Sequence, residues 1–104
     1  SFHGNLHTPE PARKGAIKAK VLACHGADDP LVPPEQVAAF EAEMRAAGAD
    51  WQLNSYGGTV HSFTNPQADG SMPGILYNAR TDNRSWAAMT ALFDEVFNAS
   101  ATVP

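Results

Sequence analysis

The run Val21-Leu22-Ala23-Cys24, closed by His25-Gly26, restricts the fold of this chain more than any other stretch. Four consecutive apolar residues are too short a run for a core helix and lack the alternation of a strand with one wet face. They suit a strand buried on both faces, as in a parallel sheet. Asp28-Asp29-Pro30 then forces a turn, because a residue before proline is pushed out of helical space. A helix follows, with Pro33 and Pro34 at its entrance and Glu35 in its first turn. Val37, Phe40, Met44 and Ala47 recur at spacings of three and four and make one apolar stripe. Glu41 and Arg45 are spaced for an i,i+4 ion pair, and Gly48 is placed to end the helix. Trp51 to Tyr56 alternates apolar and polar and stops at Gly57-Gly58, which reads as a second strand. Strand, helix and strand together make a βαβ unit with parallel pairing.

The flanks extend this unit. Ser1-Phe2-His3 reads as the end of a further strand that stops at Gly4, and two prolines make the stretch from Asn5 to Lys14 a loop. Residues 57 to 83 hold four glycines and two prolines without periodicity, which predicts a long ordered loop with a helical turn near Gly74 to Asn78. A closing helix is expected from about Asn83 to Phe97, with Trp86, Met89, Phe93 and Val96 on its covered face. Trp51, Trp86, Phe93 and Phe97 are expected in the core. The fold class is α/β, with two to three parallel strands and flanking helices. Parallel sheets are covered on both faces, and two good helices are few for that task, so the pattern resembles part of a larger fold.

Composition narrows the function classes. The 104 residues suffice for one small domain, and 43% apolar with 17% charged residues is a globular balance. Seven basic against eleven acidic residues give a net charge of −4, which argues against a nucleic-acid partner or an anionic membrane surface. No apolar run approaches the ~20 residues of a membrane span. The one cysteine, Cys24, forms no intrachain disulfide and cannot build a cysteine-clustered zinc site. The chain opens at Ser1 without an initiator methionine or signal peptide, which is expected of a processed chain or of a piece of a larger one. Compartment is not readable from this stretch, with the cytoplasm as the default.

Two residues stand where chemistry is expected. Asp29 lies in the loop directly after the first buried strand, and in open α/β sheets ligands bind at the carboxyl ends of strands. Asp28 and Asp29 are also ordinary turn formers before a proline. His61 follows the second strand in Gly57-Gly58-Thr59-Val60-His61, where a surface histidine in a flexible loop is the alternative reading. As a pair they say more, because parallel strands ~4.8 Å apart bring the loops that follow them side by side. A carboxylate bonded to an imidazole fixes its tautomer and stabilises the imidazolium, the general-base half of a catalytic triad. Cys24 reads as a small buried hydrophobe, and Ser1, Ser55 and Ser62 lack a nucleophile elbow. His3 and His7 have the spacing of a helical zinc pair, but Gly4 and Pro9 argue against a helix there, so no metal or cofactor is implied. Phe63 and Tyr77 are candidates for lining an acyl or alcohol pocket.

The segments HGADDPLVP and, 32 residues on from Asp29, His61 within YGGTVHSF resemble the C-terminal half of dienelactone hydrolase family proteins. FHGNL, IKAKVLACHG, VPPEQVAAFEAEMRAAGADWQL and NRSWAAMTALFDEVF carry the likeness along the whole chain. The resemblance implies part of an α/β-hydrolase that cleaves esters and lactones, with residues 1–104 a partial domain. It implies Asp29 as triad acid, on the pattern Gly26, Asp29, Val32, and His61 as triad base. The family nucleophile sits on a G-x-[CS]-x-G elbow upstream of a segment like FHGNL, and neither it nor the oxyanion hole is present here. The arginine that anchors the substrate carboxylate beyond the histidine is replaced by Thr64-Asn65-Pro66, which argues against dienelactone itself as substrate. The isolated chain is therefore expected to be inactive and, with an open sheet, to self-associate. The alternative is a noncatalytic α/β association module.

Overall fold

A computed structural model describes residues 1–98. Its elements run β1 (Lys20–Gly26), α1 (Pro34–Ala47), β2 (Asp50–Tyr56) and α2 (Ala79–Phe97). β1 and β2 pair in parallel and in register, from Lys20 opposite Asp50 to Gly26 opposite Tyr56. Phe2 adds a parallel bridge to Cys24 on the other edge of β1. There the Cys24 N–H donates to Ser1 O at 2.8 Å and the His3 N–H to Cys24 O at 2.9 Å. The expected strand end at Ser1 to His3 is thus one rung of a third parallel strand.

Alternation along the strands sorts their side chains onto two faces. On one, Leu22 and Cys24 form a core with the fully buried Phe63, against which Tyr56 and Ala88, Met89 and Leu92 of α2 pack. On the other, Trp51 meets Phe40 of α1 edge-on at 6.4 Å. Met44 and Ala47 of the α1 stripe are buried. α1 begins behind Pro33 with Pro34 in its first turn and ends at Gly48. Gly48 adopts φ 69, which a residue without Cβ reaches at no steric cost. The loop before β1 is strapped onto α1: the Leu6 N–H donates to Gln36 Oε1 and the Ala12 N–H to Glu43 Oε2, both at 2.8 Å.

Several expectations are corrected. Glu41 and Arg45 make no ion pair among the described residues, whose ion pairs are Lys20 with Asp50 and Glu95, and His61 with Asp29. No helical turn forms near Gly74 to Asn78; Ile75 and Leu76 make bridges to His61 and Asp69 instead. α2 starts four residues earlier than expected, because Asn78 caps it by accepting from the Thr81 N–H at 3.0 Å. Its covered stripe is Thr81, Ser85, Ala88, Met89 and Leu92, rotated from the expected one and sharing only Met89. Two hydroxyl residues disguise that stripe, and both are satisfied. Thr81 Oγ1 shares a 2.7 Å hydrogen bond with Thr59, and the Ser85 hydroxyl donates to Asp82 O at 3.0 Å. Trp86, Phe93 and Phe97 are instead 60%, 46% and 73% exposed, so the aromatic residues of α2 are not core.

Gly26 closes β1 under the loop that follows β2. A Cβ at this position would lie 2.7 Å from both Thr59 O and Val60 O, which are backbone atoms with little freedom to retreat. Gly26→Ala is expected to cost about 1–3 kcal/mol in urea unfolding. Gly57→Ala, with nothing near its Cβ, is expected to stay within about 0.5 kcal/mol. Equal effects of the two substitutions would contradict this packing.

Candidate functional site

Asp29 sits one turn beyond β1. Its N–H donates to Gly26 O at 3.0 Å, and its Oδ1 accepts from the Leu31 N–H at 2.9 Å, which closes the turn that Pro30 requires. The side chain is fully buried. Its second oxygen, Oδ2, lies 2.9 Å from His61 Nδ1. Both carboxylate oxygens are thereby engaged, one by the backbone of its own turn and one by the imidazole.

His61 reaches that point from the long loop after β2. The His61 N–H donates to Gly74 O at 3.0 Å and its carbonyl accepts from the Leu76 N–H at 3.1 Å, so the residue is pinned like part of a strand. Ser62, directly after it, holds φ 60, a left-handed conformation that a non-glycine residue adopts only when its surroundings impose it. Phe63 follows with no exposure, so the turn swings Phe63 into the core while the His61 side chain stays 24% exposed. An ionised carboxylate only accepts hydrogen bonds, so the contact with Asp29 leaves Nδ1 of neutral His61 protonated and Nε2 free as the basic atom. The arrangement can take up a proton at Nε2 and stabilise the resulting cation.

The other candidates divide. Phe63 is a core side chain with no exposure. The Tyr77 hydroxyl is spent on Asp82, donating to Oδ2 at 2.9 Å. Cys24 is 3% exposed, and burial pushes its thiol pKa up, away from the thiolate that a nucleophile needs. Its thiol accepts from the Tyr56 hydroxyl at 3.9 Å. A cavity of about 410 Å³ between α1 and the strand ends has Asp29 and His25 in its wall but not His61. It therefore lies behind the acid, away from the base.

His3 is the residue whose part at this site the sequence reading missed. It follows the Phe2 bridge with φ 42, and its ring lies edge-on to His61 at 5.5 Å and to Phe63 at 5.1 Å. Its Nε2 and Thr64 Oγ1 share a 2.9 Å hydrogen bond. The available signal was its place at the end of a strand beside β1, which puts its side chain near the loop that carries Asp29.

This parallel βαβ unit, with an acid and an imidazole leaving adjacent strand ends, is of the α/β-hydrolase class. The model of the dienelactone hydrolase family matches residues 1–97, and the chain belongs to that family. An uncharacterized protein of Caenorhabditis elegans, K02A2.1, is 36% identical over 99 residues, covering 93% of this chain and 63% of its own length. The chain thus spans less than two thirds of that relative. Among solved structures, a dienelactone-hydrolase-like promiscuous phosphotriesterase from metagenomic libraries shares 49% identity at a TM-score of 0.75. That match covers 78% of this chain and 34% of the other. The structure m3DLH shares 48% identity at a TM-score of 0.84, over 91% of this chain and 40% of the other.

Burial lowers the pKa of His3 and of His25 below the ordinary 6.5, and the nearby His61 lowers that of His3 further. His25 is 5% exposed and its Nδ1 has no hydrogen-bond partner among the described residues, so a charge there is costly. Between the lowered folded values and 6.5, the unfolded chain binds more protons than the folded one, so stability rises with pH across that window. The contribution is present above 6.5 and is lost as pH falls through the folded values. Urea unfolding across this range is expected to show that loss, and a flat profile would contradict it.

Proposed function

We propose that this chain supplies the acid and base of a nucleophile–His–Asp triad in a hydrolase that cleaves carboxylic esters or lactones through a covalent acyl-enzyme. The observation that carries the reading is the 2.9 Å contact between Asp29 Oδ2 and His61 Nδ1, made by a buried acid and a partly open base. A noncatalytic association module has no need for a buried carboxylate aimed at an imidazole, so this contact favours the catalytic reading. Asp29 orients the ring and offsets the charge that His61 acquires. His61 Nε2 takes the proton from a cysteine or serine carried on polypeptide outside this stretch. That sulfur or oxygen then bonds to the ester carbonyl carbon. Collapse of the adduct breaks the acyl–oxygen bond, and His61 returns the proton to the departing alcohol. In the second half His61 takes a proton from water as the water oxygen bonds to the acyl carbon. The acyl bond to the cysteine or serine then breaks, His61 returns the proton to that sulfur or oxygen, and the acid is released.

The substrate class follows family membership rather than any pocket within these residues. Thr64-Asn65-Pro66 stands where the family's anchoring arginine would follow the histidine, so dienelactone is not the expected substrate. The neighbour named as a promiscuous phosphotriesterase supports including phosphotriesters in the assay, since the same base would activate the same attacking group.

In the full-length protein, His61→Gln and Asp29→Asn are each expected to lower kcat on an aryl ester by about 10³–10⁴-fold, with KM changed far less. The 104-residue chain by itself is expected to show no turnover. Full activity of the His61→Gln protein would overturn the assignment, as would turnover by the isolated chain that survives replacement of Cys24.

A further inference from the structure

We propose that His3 is a positioning residue for the His61 base: its ring, tied to Thr64, is wedged edge-on against the His61 imidazole and holds it turned toward Asp29. The inference rests on the reading of His61 as the catalytic base. A single hydrogen bond to Asp29 fixes one atom of the ring but leaves the rest free to swing about it. A second restraint is needed to keep Nε2 aimed at one place. His3 is built as that restraint. It arrives from the opposite edge of β1, on a segment separate from both the Asp29 turn and the His61 loop. Its backbone is held at φ 42, with the His3 N–H donating to Cys24 O at 2.9 Å. Left-handed backbone at a non-glycine residue is uncommon, and this one brings the ring against both His61 and the buried Phe63. The rings meet at 70° and 78°, so each presents an edge to a face, as aromatic pairs prefer. The Thr64 hydroxyl, three residues beyond His61, then locks the outer end of the His3 ring through the 2.9 Å hydrogen bond to Nε2.

Charge suits the same role. Burial and the neighbouring His61 hold His3 toward its neutral form, while its own backbone and the Asp29 carboxylate act the other way. A neutral wedge can touch the ring that becomes an imidazolium without placing a like charge against it. A lysine or arginine at position 3 would oppose each proton uptake by His61.

The test uses the full-length protein with its nucleophile present. His3→Asn removes the ring while keeping a residue that accepts left-handed backbone, and Thr64→Val removes only the hydroxyl anchor at nearly constant shape. The readouts are kcat and KM on an aryl ester, and the strongly downfield proton resonance of the His61 Nδ1–H bonded to Asp29. For His3→Asn, kcat is expected to fall about tenfold with KM within about twofold, and the downfield proton to exchange too fast to be seen. Thr64→Val is expected to move both readouts the same way by a smaller factor, and it carries the test if His3→Asn does not fold. An unchanged kcat and an unchanged resonance would overturn the proposal, as would a lower melting temperature accompanied by neither effect. The resonance does not depend on turnover. If His61→Gln left the activity intact, the assignment of His61 as base would fail, while the resonance would still report whether His3 holds the ring.

Discussion

The in-register parallel pairing of β1 with β2 determines where every other part of this chain can stand. Parallel strands end at the same level, so the turn after Gly26 and the loop after Tyr56 leave from neighbouring points. Gly26 lets these segments approach closely, since any side chain there would strike the carbonyls of Thr59 and Val60. The Asp28 N–H donates to Thr59 O at 2.9 Å and binds the two segments directly. The contact between Asp29 and His61 then spans a gap that the backbone has already closed. Its geometry is set before either side chain chooses a rotamer, which is how a hydrogen bond between residues on two loops can be held in place.

The loop after β2 shows how such a site is held without regular structure. Residues 57–78 are fixed by point contacts: Thr59 to Thr81, His61 to Gly74 and Leu76, Phe63 in the core, and Asn78 capping α2. Each contact pins one residue, and His61 stands in the middle of the series. Left-handed backbone on either side of the site, at His3 and Ser62, is where local conformational preference gives way to placement of the imidazoles. The family match supplies the wider frame, a hydrolase fold of which this chain matches 34% and 40% of the two solved neighbours.

Much of this was legible in the sequence where a period or a steric rule governs the backbone. The apolar run of β1, the α1 stripe ending in Met44 and Ala47, and the Pro33 and Gly48 boundaries all follow local rules, and the structure places them as expected. Asp29 and His61 were legible as a meeting pair because parallel topology alone brings their loops together. The covered face of α2 was not legible. Thr81 and Ser85 are buried because Thr59 and a helix carbonyl satisfy their hydroxyls, and no periodicity of apolar residues reports that. The aromatic residues that mimic a core stripe, Trp86, Phe93 and Phe97, face outward. Nor was the part played by His3 legible, since its neighbours His61, Phe63 and Thr64 lie far along the chain and meet it only through the third strand.

In the proposed triad Asp29 and His61 act as one unit. A double-mutant cycle on kcat in the full-length protein tests this most directly, using Asp29→Asn, His61→Gln and both together. If the carboxylate works only through the imidazole, the double variant will be no slower than His61→Gln alone, and the coupling will equal nearly the whole effect of Asp29→Asn. Losses that simply multiply would show two residues working independently, and would rule out a coupled pair.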